Sequence, residues 1–303
     1  MERAIRFFEV GPRDGLQNEK TIVPVDRRIE LIEGLVAAGA RDVEIGSFVH
    51  PKWVPQMAGT DEVARSITRD PEVRYWALVP NRKGLERALA CDITYIAVFM
   101  SATEAHNRSN LNRSLRDSLD SLEETISLAG EERLTTRAYI STAFGCPYEG
   151  EVDFDEVLRI GDFLLQAGAD HICLGDTIGA GSPQAIGEGC GRAVERFGVE
   201  KVALHLHDTQ GLALPNALIA YQQGVRLFDG AVGGMGGCPY APGAAGNVAS
   251  DDLVNMFTQL DIDTGYDLEK LVGVTDWLGD RFGFKIQARY YNYWRAGKRA
   301  PGV

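Results

Sequence analysis

Apolar and polar positions along the 303-residue chain fall into two alternating rhythms. Short runs dense in β-branched and aromatic residues occur at Ile5–Val10, Asp42–Ser47, Val73–Val79, Ile93–Met100, Thr135–Ala143, His171–Leu174, Val202–His207 and Leu227–Val232. Between them apolar positions recur at helical spacing. Over Asp26–Ala38, Ile29, Ile32, Leu35 and Val36 share a face, and Gly39 supplies the stop. Over Asp153–Ala167, Val157, Ile160, Phe163 and Leu164 repeat that pattern. Strands that alternate with helices predict a parallel sheet. Eight strands are the number that closes a (β/α)8 barrel, which needs ~250 residues. An open doubly wound sheet ranks second, because no Gly-x-Gly-x-x-Gly turn follows the first strand. Tyr266–Gly279 reads as a further helix, and Arg281 to Val303 as a tail that is helical at first and then frayed. The expectation is one α/β domain over residues 1–303. It comprises a TIM barrel over about 5–260 and extra C-terminal helices over about 261–303.

Composition narrows the partners. A formal net charge of −12 disfavours nucleic acid and anionic membrane, which require clustered Lys and Arg. An anionic substrate would then need a local positive site, such as a metal ion with a few arginines. No apolar run reaches the ~20 residues of a membrane span. The start, Met1-Glu2-Arg3-Ala4, leads straight into a strand-like segment, so no secretory leader is expected. Cys91, Cys146, Cys173, Cys190 and Cys238 are odd in number and lack a Cys-x-x-Cys pair. That predicts a reducing cytoplasm rather than a disulfide framework or structural zinc. The sequence is compatible with a homo-oligomer.

In a barrel of this kind the active site lies at the C-terminal strand ends. Unusual polar residues gather there. In His205-Leu206-His207-Asp208 the two imidazoles point to one face, roughly 6.5 Å apart along the strand. They read as ligands of one metal, against the alternative of a hydrogen-bonded histidine pair. In Glu9-Val10-Gly11-Pro12-Arg13-Asp14-Gly15-Leu16-Gln17 a Gly-Pro turn presents Arg13 beside Asp14. These suit an oxyanion and a cation respectively, or form a plain surface pair. The glycine-rich stretch from Val232 to Asn247 permits close backbone approach and lid motion. It contains Cys238, a candidate acid–base group, whereas Cys91, Cys173 and Cys190 read as buried and inert. Asn247 reads as a cap of the eighth helix or as a metal ligand. Glu44 with Ser47, Tyr139 with Ser141, and Asp176-Thr177 add polar groups at other strand ends. The tetrad Gly-Cys-Pro-Tyr, at Gly145–Tyr148 and Gly237–Tyr240, reads as two similar strand-end turns.

Taken together these segments resemble the 3-hydroxy-3-methylglutaryl-CoA lyase family over most of the chain, from Glu9 to about Leu271. The most specific stretches are Glu9–Glu19, Ser47-Phe48 with Pro51–Met57, Leu174–Gly179, His205–Thr209 and Gly236–Ala241. The resemblance implies a metal-dependent barrel lyase acting on an acyl-CoA thioester in leucine breakdown. It would split 3-hydroxy-3-methylglutaryl-CoA to acetyl-CoA and acetoacetate by a retro-Claisen step. By matched motif it implies that Asp14, His205, His207 and Asn247 ligate a divalent cation, Mg2+ or Mn2+. It implies catalytic roles for Arg13, His205, Cys238, Asp176 and Glu44. It sets Arg13, Gln17, Ser47, Thr177 and Gly237 against the substrate. The chain departs from the family in having Asp251 for a usual Glu, Thr142 for a frequent Cys, and Gln210-Gly211-Leu212 for Tyr-Gly-Gln. Its fourth-strand end, Met100–His106, is also unlike common relatives. Rival readings are a lyase for citramalyl-CoA or a longer 3-hydroxyacyl-CoA, a Claisen-type synthase, and a thioester-binding protein without catalysis.

Overall fold

A computed structural model of the chain describes residues 5–237 and 245–299. Eight strands form one closed parallel barrel in sequence order. They are β1 (Arg6–Glu9), β2 (Asp42–Ser47), β3 (Arg74–Leu78), β4 (Tyr95–Ser101), β5 (Thr135–Ser141), β6 (His171–Asp176), β7 (Val202–Leu206) and β8 (Leu227–Gly230). Closure comes from β1 pairing with β8, with Glu9 opposite Gly230. The helices that return the chain are α1 (Val25–Ala37), α2 (Thr60–Ser66), α3 (Arg82–Leu89), α4 (Glu104–Leu111), α5 (Leu115–Glu131), α6 (Phe154–Gln166), α7 (Pro183–Phe197), α8 (Ala213–Gln222) and α9 (Ser250–Thr258). Two more, α10 (Leu268–Phe282) and α11 (Arg289–Arg299), follow the barrel.

The period of two along each strand sorts the core into two zones. Outward positions such as Val43, Ile45, Leu174, Leu204 and Leu206 pack with Ile32, Leu35, Ile160, Leu164 and Leu253 of the helices, all at most 2% exposed. Inward positions fill the barrel, with Phe8, Trp76, Leu78, Ala97, Tyr139, Cys173, Ala203 and Leu227 in one cluster. The interior also carries charge. At its N-terminal end Asp42 accepts from Arg74 Nε and Nη2 (2.6 Å each), Arg6 Nη2 (3.1 Å) and Trp76 Nε1 (2.9 Å). A buried carboxylate so surrounded is held ionised and ties three strands together.

The barrel agrees with the sequence pattern, and the differences sit at strand ends. β6 runs on to Asp176, and β8 stops at Gly230 because Val232–Gly234 turns, with Gly233 at φ 67°. The added helix begins at Leu268 and extends to Phe282, with Asp267 accepting from Lys270 N. The tail forms α11, whose start is tied down by Asp252, which accepts from Arg289 N (2.9 Å) and Tyr290 N (2.7 Å). Of the two Gly-Cys-Pro-Tyr turns, the first is a tight turn closed by Cys146 and Gly150 after β5. Most of the second, Cys238 to Tyr240, lies outside the described residues. No helix among the described residues is long and apolar enough to cross a membrane.

Candidate active site

The end of β1 supplies the first pair of groups. Val10 O accepts from Arg13 N (3.1 Å), Asp14 N (2.7 Å) and Gly15 N (3.2 Å), closing a wide turn of the π type, a form frequent at functional sites. The turn swings Arg13 and Asp14 over the barrel mouth. Arg13 is 7% exposed. Its Nε donates to Glu44 Oε2 at 2.7 Å, and its Nη1 donates to Asp14 Oδ1. Burial alone would weaken the guanidinium's hold on its proton, but Glu44 and Asp14 outweigh it and keep Arg13 charged.

β7 supplies the second pair. His205 and His207 stand in phase on the inner face, with ring centroids 5.3 Å apart. His207 lies just past the strand, held by a bridge to Asn247. Asp14, His205 and His207 each bring a ligand atom within 4.8 Å of the others. Asn247 joins them: its Nδ2 donates to Asp14 Oδ2 (2.8 Å) and to Met235 O (3.0 Å). These two acceptors fix the amide's orientation. Its Oδ1 is buried with no hydrogen-bond partner among the described residues, and so is His207 Nδ1. Burial first, then the neighbouring His205, pushes the His207 imidazole down to about 3, so it is neutral. Burial raises the Asp14 carboxyl, but Arg13, the two imidazoles and the Asn247 amide together lower it to about 2. An anionic carboxylate and a neutral imidazole with ligand atoms within 4.8 Å of one another, beside a residue whose buried amide oxygen has no partner among the described residues, are a donor set for a divalent cation. The residues present therefore fit a metal.

Asn247 does not cap the eighth helix. α9 starts after Ala249 and has no side-chain cap, while the Asn247 amide is spent on Asp14 and Met235. Gly236 makes this possible. It sits at φ 97°, and a Cβ there would stand 2.6 Å from Asn247 Nδ2. Asp251, the residue one methylene shorter than the family pattern, braces backbone rather than the cluster. It accepts from Gly233 N (2.7 Å) and Thr275 Oγ1 (2.6 Å).

The other sequence candidates divide. Glu44 is buried against Arg13, and burial holds its carboxyl above the usual range despite that cation. Asp176 turns its oxygens to its own loop, accepting from Ala180 N (2.9 Å) and Gly181 N (3.1 Å), and burial lifts it to about 6. Ser47 Oγ accepts from Val49 N at 3.2 Å, and Thr177 Oγ1 from Thr142 N at 2.8 Å, so both hydroxyls shape the rim. Thr142, at φ 59°, is a β-branched residue in the left-handed region, a strain of about 1–3 kcal/mol held at the end of β5. Gln17 follows the Arg13–Asp14 turn and is partly exposed; Gly237 is exposed and bridged to Ala245. Cys238 lies outside the described residues.

Sequence reading missed the layer beneath. Asp229 of β8 has Oδ2 3.0 Å from His205 Nδ1; the same oxygen accepts from Tyr139 OH (3.0 Å), and Oδ1 accepts from Arg137 Nη2. Arg137 lies 3.9 Å over the Phe8 ring and 4.6 Å from that of Tyr139. Arg137 and Asp229 are each 1% exposed. Burial would raise the Asp229 carboxyl, but Arg137 and then His205 lower it. Glu9 was also overlooked as a working part: it accepts from Gly11 N (2.8 Å), Val232 N (2.9 Å) and Ser250 Oγ (2.6 Å), stapling the first strand end to the last. The available signal was a single charged residue inside an apolar strand, at Arg137 and at Asp229.

Comparison with known proteins adds an independent line. Residues 4–278 match the HMGL-like family model. The chain is 46% identical over 287 residues to the hydroxymethylglutaryl-CoA lyase YngG of Bacillus subtilis (strain 168), covering 95% of this chain and 96% of that one. It is 44% identical over 272 residues to a Pseudomonas aeruginosa lyase named for 3-hydroxy-3-isohexenylglutaryl-CoA and hydroxymethylglutaryl-CoA, covering 90% and 91%. The crystal structure of the Bacillus subtilis HMG-CoA lyase superposes with a TM-score of 0.95 at 44% identity, covering 97% of this chain and 98% of that one.

Proposed function

Because the chain belongs to the HMGL-like family, we infer that it cleaves 3-hydroxy-3-methylglutaryl-CoA to acetyl-CoA and acetoacetate. The observation that carries this is the convergence of Asp14, His205 and His207 on one point at the barrel mouth. The relatives that support the reading are lyases over nearly their whole length, which sets a longer acyl substrate or forward synthase chemistry behind it.

Asp14, His205, His207 and the Asn247 oxygen would hold the cation, and their nitrogen–oxygen donor set favours Mg2+ or Mn2+ over thiolate-seeking metals. Once bound, the cation supplies Lewis acidity that lowers the pKa of the substrate's 3-hydroxyl. That hydroxyl releases its proton to solvent as the C2–C3 bond breaks, and the one proton lost there is matched by the one that C2 takes up. The bond's electron pair becomes the enolate of acetyl-CoA, and C3 becomes the ketone of acetoacetate. Arg13 stabilises the enolate oxygen, since the guanidinium is charged, buried and held still by Glu44 and Asp14. Glu44 thereby acts through Arg13. Between the two groups named for proton transfer, His205 is committed through Nδ1 to Asp229 and stands in the cluster. We therefore assign to Cys238 the proton that C2 takes up. Gln17 and Gly237 border the opening, while Ser47, Thr177 and Asp176 keep the loops that frame it in place. We propose that the chain works as one catalytic domain, a barrel followed by the helices α10 and α11. Its described cysteines are free and buried, which supports a reducing cytoplasm.

The test is product analysis with purified protein and added Mg2+ or Mn2+. Acetyl-CoA and acetoacetate should form in equal amounts, and chelation should stop the reaction. Fast cleavage of citramalyl-CoA or a longer homologue, with none of the 3-methylglutaryl thioester, would overturn the substrate assignment.

A further inference from the structure

We propose that Asp229, clamped by Arg137, is a positioning residue that keeps the proton of His205 on Nδ1 and so presents the bare Nε2 to the cluster. The inference rests on the reading of Asp14, His205 and His207 as a cation holder and deepens it. An imidazole can carry its neutral proton on either nitrogen, and the partner of one nitrogen decides the state of the other. The two histidines differ in this respect. His207 Nδ1 has no partner among the described residues, whereas His205 Nδ1 is 3.0 Å from a carboxylate oxygen. A carboxylate accepts and cannot donate, so the proton must lie on Nδ1 as long as Asp229 stays ionised.

The layer below clamps that carboxylate against the His205 ring. Arg137 donates to the other Asp229 oxygen, and Tyr139 OH donates at 3.0 Å to the oxygen that faces His205. Arg137 also donates to Cys173 Sγ at 2.9 Å, and its plane lies against Phe8 and Tyr139, so it cannot swing away. Strand register sets the stack: β5 brings Arg137 and Tyr139, β7 brings His205, and β8 brings Asp229, all facing inward. Tyr139 also meets the His205 ring edge-on, with centroids 6.1 Å apart, which fixes the ring's tilt. A carboxylate behind a metal-binding histidine orients the ring and raises its basicity, and losing one typically costs ~10- to 100-fold in metal affinity.

Two measurements test this. The first uses the parent chain, metal-free and labelled with 15N-histidine, with the His205 signals assigned through a His205→Asn variant. In neutral His205 the proton should sit on Nδ1, with Nε2 bare. A bare Nδ1 with the proton on Nε2 overturns the proposal. The second is titration with Mn2+ alone, followed by electron paramagnetic resonance, of parent and Asp229→Asn. The variant, if folded by circular dichroism, should bind Mn2+ about 10- to 100-fold more weakly. A folded variant with parental affinity overturns the proposal. Should Asp229→Asn fail to fold, the nitrogen spectrum of the parent decides alone. A parent that takes up no Mn2+ refutes the cation reading itself, separately from the position of the His205 proton.

Discussion

Arg13→Lys keeps the positive charge and removes the fork, and its consequences can be worked from the contacts. The guanidinium gives Nε to Glu44 at 2.7 Å and Nη1 to Asp14, two carboxylates on different elements. Both carboxylates hold the guanidinium, so the group is braced before it meets the enolate. A lysine ammonium is a single point with no planar edge, and it cannot face both carboxylates and an incoming oxygen with the same geometry. Losing one aligned donor to a developing oxyanion costs ~2.7–4 kcal/mol, which is about 10²–10³ in kcat. That interaction exists mainly in the transition state, so kcat and kcat/KM should fall together while KM stays near the parent's. Losing the charge-assisted bond to buried Glu44 removes a further ~1.5–3 kcal/mol from stability, visible as a Tm lower by roughly 3–6 °C. The assay is steady-state acetoacetate formation at saturating thioester and Mn2+, beside a thermal melt. A kcat within about tenfold of the parent would refute the assignment of Arg13 to the enolate oxygen, since the effect expected is about 10²–10³.

Three further outcomes follow from other contacts. His207→Ala removes a neutral buried imidazole from the cluster and should abolish Mn2+ uptake and turnover together, leaving the far-ultraviolet circular dichroism unchanged. Gly236→Ala places a Cβ 2.6 Å from Asn247 Nδ2 at φ 97°; it should cost ~1–2 kcal/mol in strain and weaken Mn2+ binding, with calorimetry as the check. Glu9→Gln tests burial. Burial raises the Glu9 carboxyl to about 7, against bonds from Ser250, Val232 and Gly11 that pull it down. A folded-state value above the unfolded one means that ionisation costs the folded chain stability between about pH 4.5 and 7. Glutamine mimics the protonated form, and Ser250 can turn to accept from its amide. The variant should therefore match the parent near pH 4.5 and exceed it at pH 8 by up to ~3 kcal/mol in denaturant melts. A gap of the opposite sign, or one that does not change with pH, would contradict this.

The sequence made the barrel and the mouth of the site legible because both are local signals. Strand and helix periods show in short windows, and His205-Leu206-His207 declares a shared face by spacing alone. Arg13 and Asp14 stand next to each other after a Gly-Pro turn. What stayed hidden depends on register across the closed sheet. Arg137 and Asp229 are 92 residues apart and meet only because β5 and β8 face one interior. In the sequence each is only a single charge within an apolar run. The choice for Asn247 between helix cap and ligand turned on where α9 begins, a matter of two residues that no pattern resolves. Asp176, Ser47 and Thr177 sit at the right strand ends, yet their oxygens serve nearby backbone N–H groups, and composition cannot distinguish a rim brace from a substrate contact.

The central claim is that side chains from three separate stretches grip one cation at the barrel mouth. An anomalous difference map from crystals soaked in Mn2+ tests it most directly. The account predicts one strong peak, about 2.0–2.4 Å from an Asp14 oxygen, His205 Nε2, a His207 nitrogen and Asn247 Oδ1. A fully soaked crystal with no peak at this cluster, or with its strongest peak on other residues, would contradict it.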